Sequence, residues 1–308
     1  MSDKKIISLL PAATEIVCAL GLEHQLVGRS HECDYPESVQ HLPVCSSARF
    51  EPGSSSLEID NMVKASLTEA LSIYTVNKNR IAELKPDVVI TQAQCEVCAV
   101  SLSDVESALR NLLDKEANVI SLNPNTLQDI FNEIALISKA LGVPEKGEAL
   151  LEDLQERITL IQHKLKFVEA RPKVACIEWL NPLMIAGNWT PELVEIAGGI
   201  PVLAQNGKHS PYIKPEELLA ANPEVIIVAA CGFSVERTLQ EVNLLFEIPG
   251  WQDLEAVKNN RFYIADGNHY FNRSGPRIVD TVEMLAEIIQ PKQFIFGYEG
   301  NSWLKFSL

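Results

Sequence analysis

The amino-acid sequence predicts an α/β protein: two lobes, each with a parallel sheet, joined by a single long helix. Three observations predict it. The chain has 308 residues, close to two domains at about 150 residues each. Short β-rich runs alternate with amphipathic helical stretches, the rhythm of a parallel sheet covered on both faces. That rhythm occurs twice, on either side of one long helical pattern. The predicted boundaries are 1–143 for the first lobe, 144–170 for the connecting helix and 171–308 for the second lobe.

Taken in order, residues 5–10 form the first strand. Pro11 then opens a helix with Ile16, Val17 and Leu20 on one face, and Gly21 ends it with a left-handed cap. Residues 26–29 are the next strand. After Lys85 and Pro86 comes a compact buried strand over 87–90, and 118–122 is another. Helices over 103–114 and 126–141 lie between and beyond these, the latter capped at Thr126 and stopped by Gly142. Residues 45–76 break the rhythm; their helix opens on a capping box, Ser55 with Glu58, and the segment reads as an elaboration of the first lobe. In the connecting helix Leu150, Leu151, Leu154, Ile158, Ile161 and Leu165 make an apolar stripe. The second lobe repeats the pattern, with strands at 173–177, 224–230 and 261–264 and helices at 190–197, 216–221 and 275–290.

Composition narrows the function. Hydrophobic residues are 46% and charged residues 22%, which excludes disordered and collagen-like chains. No apolar run approaches the ~20 residues of a membrane span. A net charge of −15 repels a phosphate backbone, so nucleic acid is not an expected partner. The amino terminus enters the first strand without a secretory leader, which predicts a cytoplasmic location, or a periplasmic one if a leader has been removed. Seven cysteines, an odd number, argue against a disulfide framework.

In parallel α/β sheets, ligands bind outside the carboxyl ends of the strands. There the sequence places His31, Glu32 and Cys33; Gln92, Cys95 and Cys98; Glu178 and Trp179; Cys231; and His269, Tyr270 and Arg273. Four of the seven cysteines and two of the six histidines lie at such ends. Soft ligands of this kind suit zinc, iron or an iron–sulfur cluster, held by Cys33, Cys95 and Cys98 with His31 or Cys231. A thiol–disulfide switch at Cys95 and Cys98 is a further reading. Cys18 and Cys176 read as core. Glu178 is a ligand contact or a capping carboxylate, and Cys231 a ligand or a small buried residue. His269 and Arg273, flanking Tyr270 and Phe271 in a polar loop, are expected to touch a polar ligand. A Gly-x-Ser-x-Gly elbow, a phosphate loop and a dinucleotide fingerprint are all missing, so a binding protein is expected rather than an enzyme.

The run from Ile6 to Glu15, Val27-Gly28-Arg29-Ser30 with Asp34-Tyr35-Pro36, and Leu84-Lys85-Pro86-Asp87 resemble the vitamin B12 and iron-siderophore binding proteins of ABC importers. Asn181-Pro182, Gly198-Gly199, Pro215-Glu216-Glu217 and Arg273-Ser274-Gly275-Pro276-Arg277 continue the likeness, which covers nearly the whole chain. The strings His31-Glu32-Cys33-Asp34-Tyr35-Pro36 and Gln94-Cys95-Glu96-Val97-Cys98-Ala99 look closest to a leaderless, cytosolic-type subgroup. The resemblance implies two Rossmann-like lobes of the class III periplasmic-binding-protein type, with cobalamin, haem or a ferric chelate held between them. It implies ligand contacts at His31, Gln92, Met184, Tyr212, His269 and Arg273. Glu178, Trp179 and Tyr270 complete the expected set. Gln92, Met184 and His269 stand where the family pattern has large aromatics, so the ligand site is expected to be more polar and richer in sulfur. Of two acidic residues that dock on a permease in the family, Glu216 matches one and Asn79 replaces the other.

Overall fold

The structure is a computed structural model of the chain and describes residues 3–48, 53–68, 74–92 and 117–307. Two compact units make it up: Met1–Pro124 with Asp129–Glu152, and Asn125–Gln128 with Asp153–Leu308.

In the first unit the described strands are β1 (Ile6–Ser8), β2 (Leu26–Arg29), β3 (Ser46–Ala48), β4 (Tyr74–Val76), β5 (Val88–Gln92) and β6 (Asn118–Leu122). Four of them form a parallel sheet in the order β2-β1-β5-β6. Helices α1 (Pro11–Ala19), α2 (Ser56–Thr68) and α3 (Lys78–Leu84) intervene, and α4 (Leu127–Leu141) and α5 (Pro144–Leu165) follow. Pro11 sits in the first turn of α1, where its missing N–H costs nothing, and Gly21 beyond the helix has φ +69°. Ile7 pairs with Gly28. A methyl group on Gly28 would lie 2.8 Å from Cys45 Sγ, so glycine is what lets Cys45 pack with Ile7, Leu9, Ile81 and Val89.

The elaboration expected over 45–76 is a separate antiparallel pair, β3 with β4, with α2 between them. Its capping box forms: Ser55 N–H donates to Glu58 Oε2 at 2.7 Å, and Glu58 N–H to Ser55 Oγ at 3.3 Å. The helix expected over 103–114 lies outside the described residues.

The second unit contains β7 (Lys173–Trp179), β8 (Met184–Ile185), β9 (Ile200–Pro201), β10 (Val225–Val228), β11 (Phe262–Ala265) and β12 (Trp303–Lys305). Their order is β12-β11-β10-β7-β8, with β9 also on β7. The helices are α6 (Thr190–Ile196), α7 (Pro215–Ala221), α8 (Val235–Leu239), α9 (Asn243–Phe246), α10 (Glu255–Lys258) and α11 (Ile278–Ile289). Every residue of β10 is buried, as a central parallel strand requires. Trp251 and Phe262 anchor the core edge to face, ring centroids 5.5 Å apart, and Phe246 and Phe306 pack around them.

Helix α11 begins at Ile278, three residues after the Gly275 expected to open it, because Ile278 N–H donates to Gly275 O at 3.0 Å and closes a turn over Gly275–Ile278. It buries Glu283 and Glu287 along with its apolar face. Arg157 of α5 donates to Glu283 Oε1 and Oε2 at 2.9 and 2.7 Å and to Asp280 Oδ1 at 2.5 Å. Tyr298 donates its hydroxyl to Glu283 at 2.7 Å. Glu287 accepts from the N–H groups of Phe296, Gly297 and Tyr298 and from Trp303 Nε1. Those bonds hold the tail so that β12 adds antiparallel to β11, an edge strand not expected from the sequence. No described helix is long and apolar enough to cross a membrane.

Glu133 of α4 is 8% exposed. Its Oε1 accepts from Asn123 N–H at 2.6 Å, beyond the end of β6, while its Oε2 is buried without a partner among the described residues. Burial raises the carboxyl from the ordinary 4.5 to about 7, against the pull of the Asn123 bond and with help from Asp129. Between those pH values the folded chain keeps a proton that the unfolded chain has released. Stability is therefore expected to fall by on the order of 2 kcal/mol as pH rises from about 4.5 to 7.5 and then to level off. Urea unfolding across that range checks it, and Glu133→Gln should remove this part of the slope.

Candidate functional site

In the second unit the chain leaves β7 for β8 and β9 on one side and returns to β10 on the other. The crevice at such a switch point is where an α/β sheet offers its loops to a ligand. Glu178 and Trp179 end β7, and Cys231 follows β10. Cys231 N–H donates to Glu178 O at 3.0 Å, tying the two strand ends together.

The next strand end is tied in the same way. Past β11 the backbone makes a wide turn of π-helical bonding over Gly267–Phe271. The N–H groups of Gly267 and Asn268 both donate to Phe233 O at 3.0 Å. Asn272 Nδ2 donates to Ala229 O and Gly267 O at 3.3 and 3.0 Å. A methyl group on Gly267 would lie 2.0 Å from Ala230 O, so only glycine allows the turn this close to the end of β10.

Within this frame His269 Nδ1 lies 2.7 Å from Asp266 Oδ2, and Asp266 Oδ1 accepts from the N–H groups of Asn268 and His269 at 2.8 and 2.7 Å. Arg273 is buried, and its Nη2 donates to Asn268 Oδ1 at 3.3 Å. Tyr270 packs edge-on to His269, with the Arg277 guanidinium over its ring at 5.1 Å.

Glu178 is half-buried. Ser210 Oγ accepts from Gly187 N–H at 2.9 Å and donates to Glu178 Oε2 at 2.8 Å. Burial pushes the Glu178 carboxyl above the usual carboxylate range, against the Ser210 bond and the charge of His209. The expected ligand contact is thus a carboxyl inclined to keep its proton. Met184 pairs with Trp179 on one side and bridges to Tyr212 on the other. Trp179 is nearly buried against Phe233, ring centroids 5.1 Å apart, whereas Tyr212 is 51% exposed.

In the first unit the corresponding switch point lies between β1 and β5, and Gln92 ends β5 there. Ser30 N–H donates to Ser8 O at 2.8 Å, bringing His31 to the end of β1. His31 Nδ1 lies 2.9 Å from Ser46 Oγ. Burial holds the imidazole below its ordinary value; Glu32 opposes this and Arg29 adds to it. Cys33 is fully buried, its sulfur 3.0 Å from the Thr14 hydroxyl, which donates to it, and 3.9 Å from Ser8 O.

Of the expected metal set, Cys33 thus lies in the first unit and Cys231 is exposed in the second, and Cys95 and Cys98 lie outside the described residues. Among the described residues no three His, Cys, Asp or Glu side chains group as metal ligands. Burial pushes the thiols of Cys18 and Cys176 up to about 12 and that of Cys45 to about 11, which keeps them unreactive. Cys176 is core as expected, while Cys18 is only half-buried. Glu216, in the first turn of α7, and Asn79, in α3, are both exposed.

Sequence reading places Asp266 and Asn268 in the loop after residues 261–264 but gives them no role, and it misses Phe233 and Ser210. An acid three positions before His269 was a usable signal for the first. Nothing in the sequence marks Ser210 as the partner of a carboxyl 32 positions away.

A sequence model of the family described as periplasmic binding protein matches residues 6–268. The chain is 25% identical, over 94% of its length and 81% of the relative's, to the "Uncharacterized ABC transporter substrate-binding lipoprotein YvrC" of Bacillus subtilis strain 168. The crystal structure of the periplasmic vitamin B12 binding protein BtuF of Vibrio cholerae superposes with a TM-score of 0.68 at 23% identity, covering 94% of this chain and 98% of that one. A periplasmic heme binding protein from Pseudomonas aeruginosa gives a TM-score of 0.71 at 19% identity, covering 94% of each chain. The fold is therefore that of the class III periplasmic binding proteins, two Rossmann-like lobes with α5 running from one unit into the other.

Gly267→Ala is expected to destabilise the chain by roughly 1–3 kcal/mol, because the new methyl group meets backbone that has no room to yield. Gly232→Ala, where no atom of the described residues lies within 4 Å and only φ +74° is strained, should cost about 1 kcal/mol. Urea midpoints measure both, and hydrogen exchange of the Gly267 and Asn268 amides should rise only in the first variant.

Proposed function

The chain belongs to the periplasmic binding protein family, and from that premise we propose that it is a substrate-binding protein of the ABC-importer type whose cargo is a corrinoid, a haem-like compound or a ferric chelate. One observation carries the proposal: hydrogen bonds tie together the carboxyl ends of β7, β10 and β11, so that Glu178, Cys231 and the turn bearing His269 and Arg273 share one end of one sheet. The names of the relatives, a vitamin B12 binding protein and a heme binding protein, support a metal-bearing cargo.

In this reading Arg273 supplies positive charge, and His269 and Glu178 supply directed hydrogen bonds. Trp179, Met184, Tyr212 and Tyr270 supply apolar and aromatic surface for a flat ligand. His31 and Gln92 are the ligand contacts that the resemblance implies in the first unit, and Glu216 is the side chain offered to a permease. Relatives named as a lipoprotein and as a periplasmic protein support work beside a membrane transporter; the cytoplasmic expectation has no such support.

Spectral titration with cobalamin, haemin and a ferric chelate is expected to show saturable one-to-one binding of at least one of them at micromolar concentration. Arg273→Ala should weaken it about tenfold or more, the scale of a lost hydrogen bond to a charged group. Absence of saturable binding by all three compounds overturns the proposal.

A further inference from the structure

We infer that the amino-terminal end of the second unit's sheet carries a contact surface for an anionic lipid membrane, centred on Phe167 and Ile295. These are the most exposed large apolar side chains among the described residues, at 88% and 90%. Phe167 lies just past α5 and Ile295 just past α11, and the two segments are neighbours. Lys164 Nζ stands 5.4 Å from the centroid of the Phe294 ring, on which Phe296 stacks at 5.7 Å. Gln290 Nε2 donates to Ala170 O at 2.8 Å and to Gly198 O at 3.1 Å. That second bond brings in Ile200, which is also exposed.

The charge of the chain inverts here. Residues 163–173 and 290–296 hold five of the 26 lysines and arginines but only one of the 41 acids, Glu169. The five cations, Lys164, Lys166, Arg171, Lys173 and Lys292, are all exposed. A helix dipole accounts for a cation in the last turn of α5, and hence for Lys164. The other four lie outside helices, so they need another reason.

Projecting apolar side chains flanked by lysines match an anionic membrane. The ring and the alkyl group enter the acyl boundary, while the long amines stay among the headgroups. A folded protein is the poorer match, because lysine is depleted at protein interfaces, and a second copy docked face to face would set cation against cation. Lys173 opens β7 and pairs with Ile200 of β9, so the surface lies at the opposite end of the sheet from Glu178 and Cys231. Contact with lipid leaves those strand ends uncovered and does not depend on which cargo they hold.

The test is sedimentation of the full chain with vesicles of phosphatidylcholine alone, and of phosphatidylcholine with an equal part of phosphatidylglycerol. Partitioning onto the anionic vesicles is expected to exceed that onto the neutral ones about tenfold or more, each cation contributing roughly fivefold, and to fall as salt is added. Phe167→Ser with Ile295→Ser should lower it about tenfold or more at an unchanged urea midpoint. Lys166→Glu with Lys292→Glu should lower it by about the same factor on the anionic vesicles alone. Equal partitioning onto both vesicles, partitioning onto neither, or full binding by the serine variant overturns the inference. So does a dimer in analytical ultracentrifugation that the serine variant dissolves, since the surface then belongs to a second copy. Should a variant fail to fold, the salt series on wild type still decides: partitioning that salt leaves unchanged overturns the inference.

Discussion

The carbonyl of Phe233 accepts two backbone N–H groups from the turn after β11, and the arrangement of the strand ends in the second unit depends on that contact. Parallel strands end side by side, but the loops that leave them are free to splay. Here the loop after β10 and the turn after β11 are stitched by backbone hydrogen bonds and by Asn272. Little is left to side-chain choice. The absence of a Cβ on Gly267 is what makes the approach possible. A frame of this kind presents His269 and Arg273 from fixed backbone, which is the condition for recognising a rigid ligand without a large ordering cost.

A different solution holds the far edge of the same sheet. Helix α11 is apolar enough to be buried on nearly all sides, yet it carries two carboxylates inside. Both are satisfied, Glu283 by Arg157 and Tyr298, and Glu287 by three backbone N–H groups and an indole. Buried carboxylates left unpaired would cost several kcal/mol each. Paired as they are, they specify where the tail runs and so which edge of the sheet β12 covers. The apolar cluster around Trp251 and Phe262 gives the unit its bulk stability, whereas the carboxylates give the tail a single register.

In the proposed reading the chemistry of the chain is that of capture. Three described thiols are held protonated by burial, and Cys33 is turned into the core between Thr14 and Ser8. The groups presented at strand ends are an imidazole, a guanidinium, a carboxyl inclined to stay neutral, a thioether and aromatic rings.

The central strands and longer helices are legible in the sequence because burial on both faces leaves a local mark: the four apolar residues of β10, the proline and glycine that bracket α1, the serine and glutamate that cap α2; the short edge strands and one-turn helices leave none. The rule that ligands meet the carboxyl ends of parallel strands then pointed to Glu178, Cys231 and His269 before any coordinates. What the sequence could not carry was the direction of each side chain and its partner. Ser210 reaches Glu178 only because Gly187 lies against the backbone of Lys208 to Ser210, and Arg157 meets Asp280 across 123 positions. Cys33 and Cys231 occupy similar places in the pattern, yet one is buried and the other exposed. Backbone periodicity is a property of neighbours along the chain; contact is a property of neighbours in space, and only folding creates those.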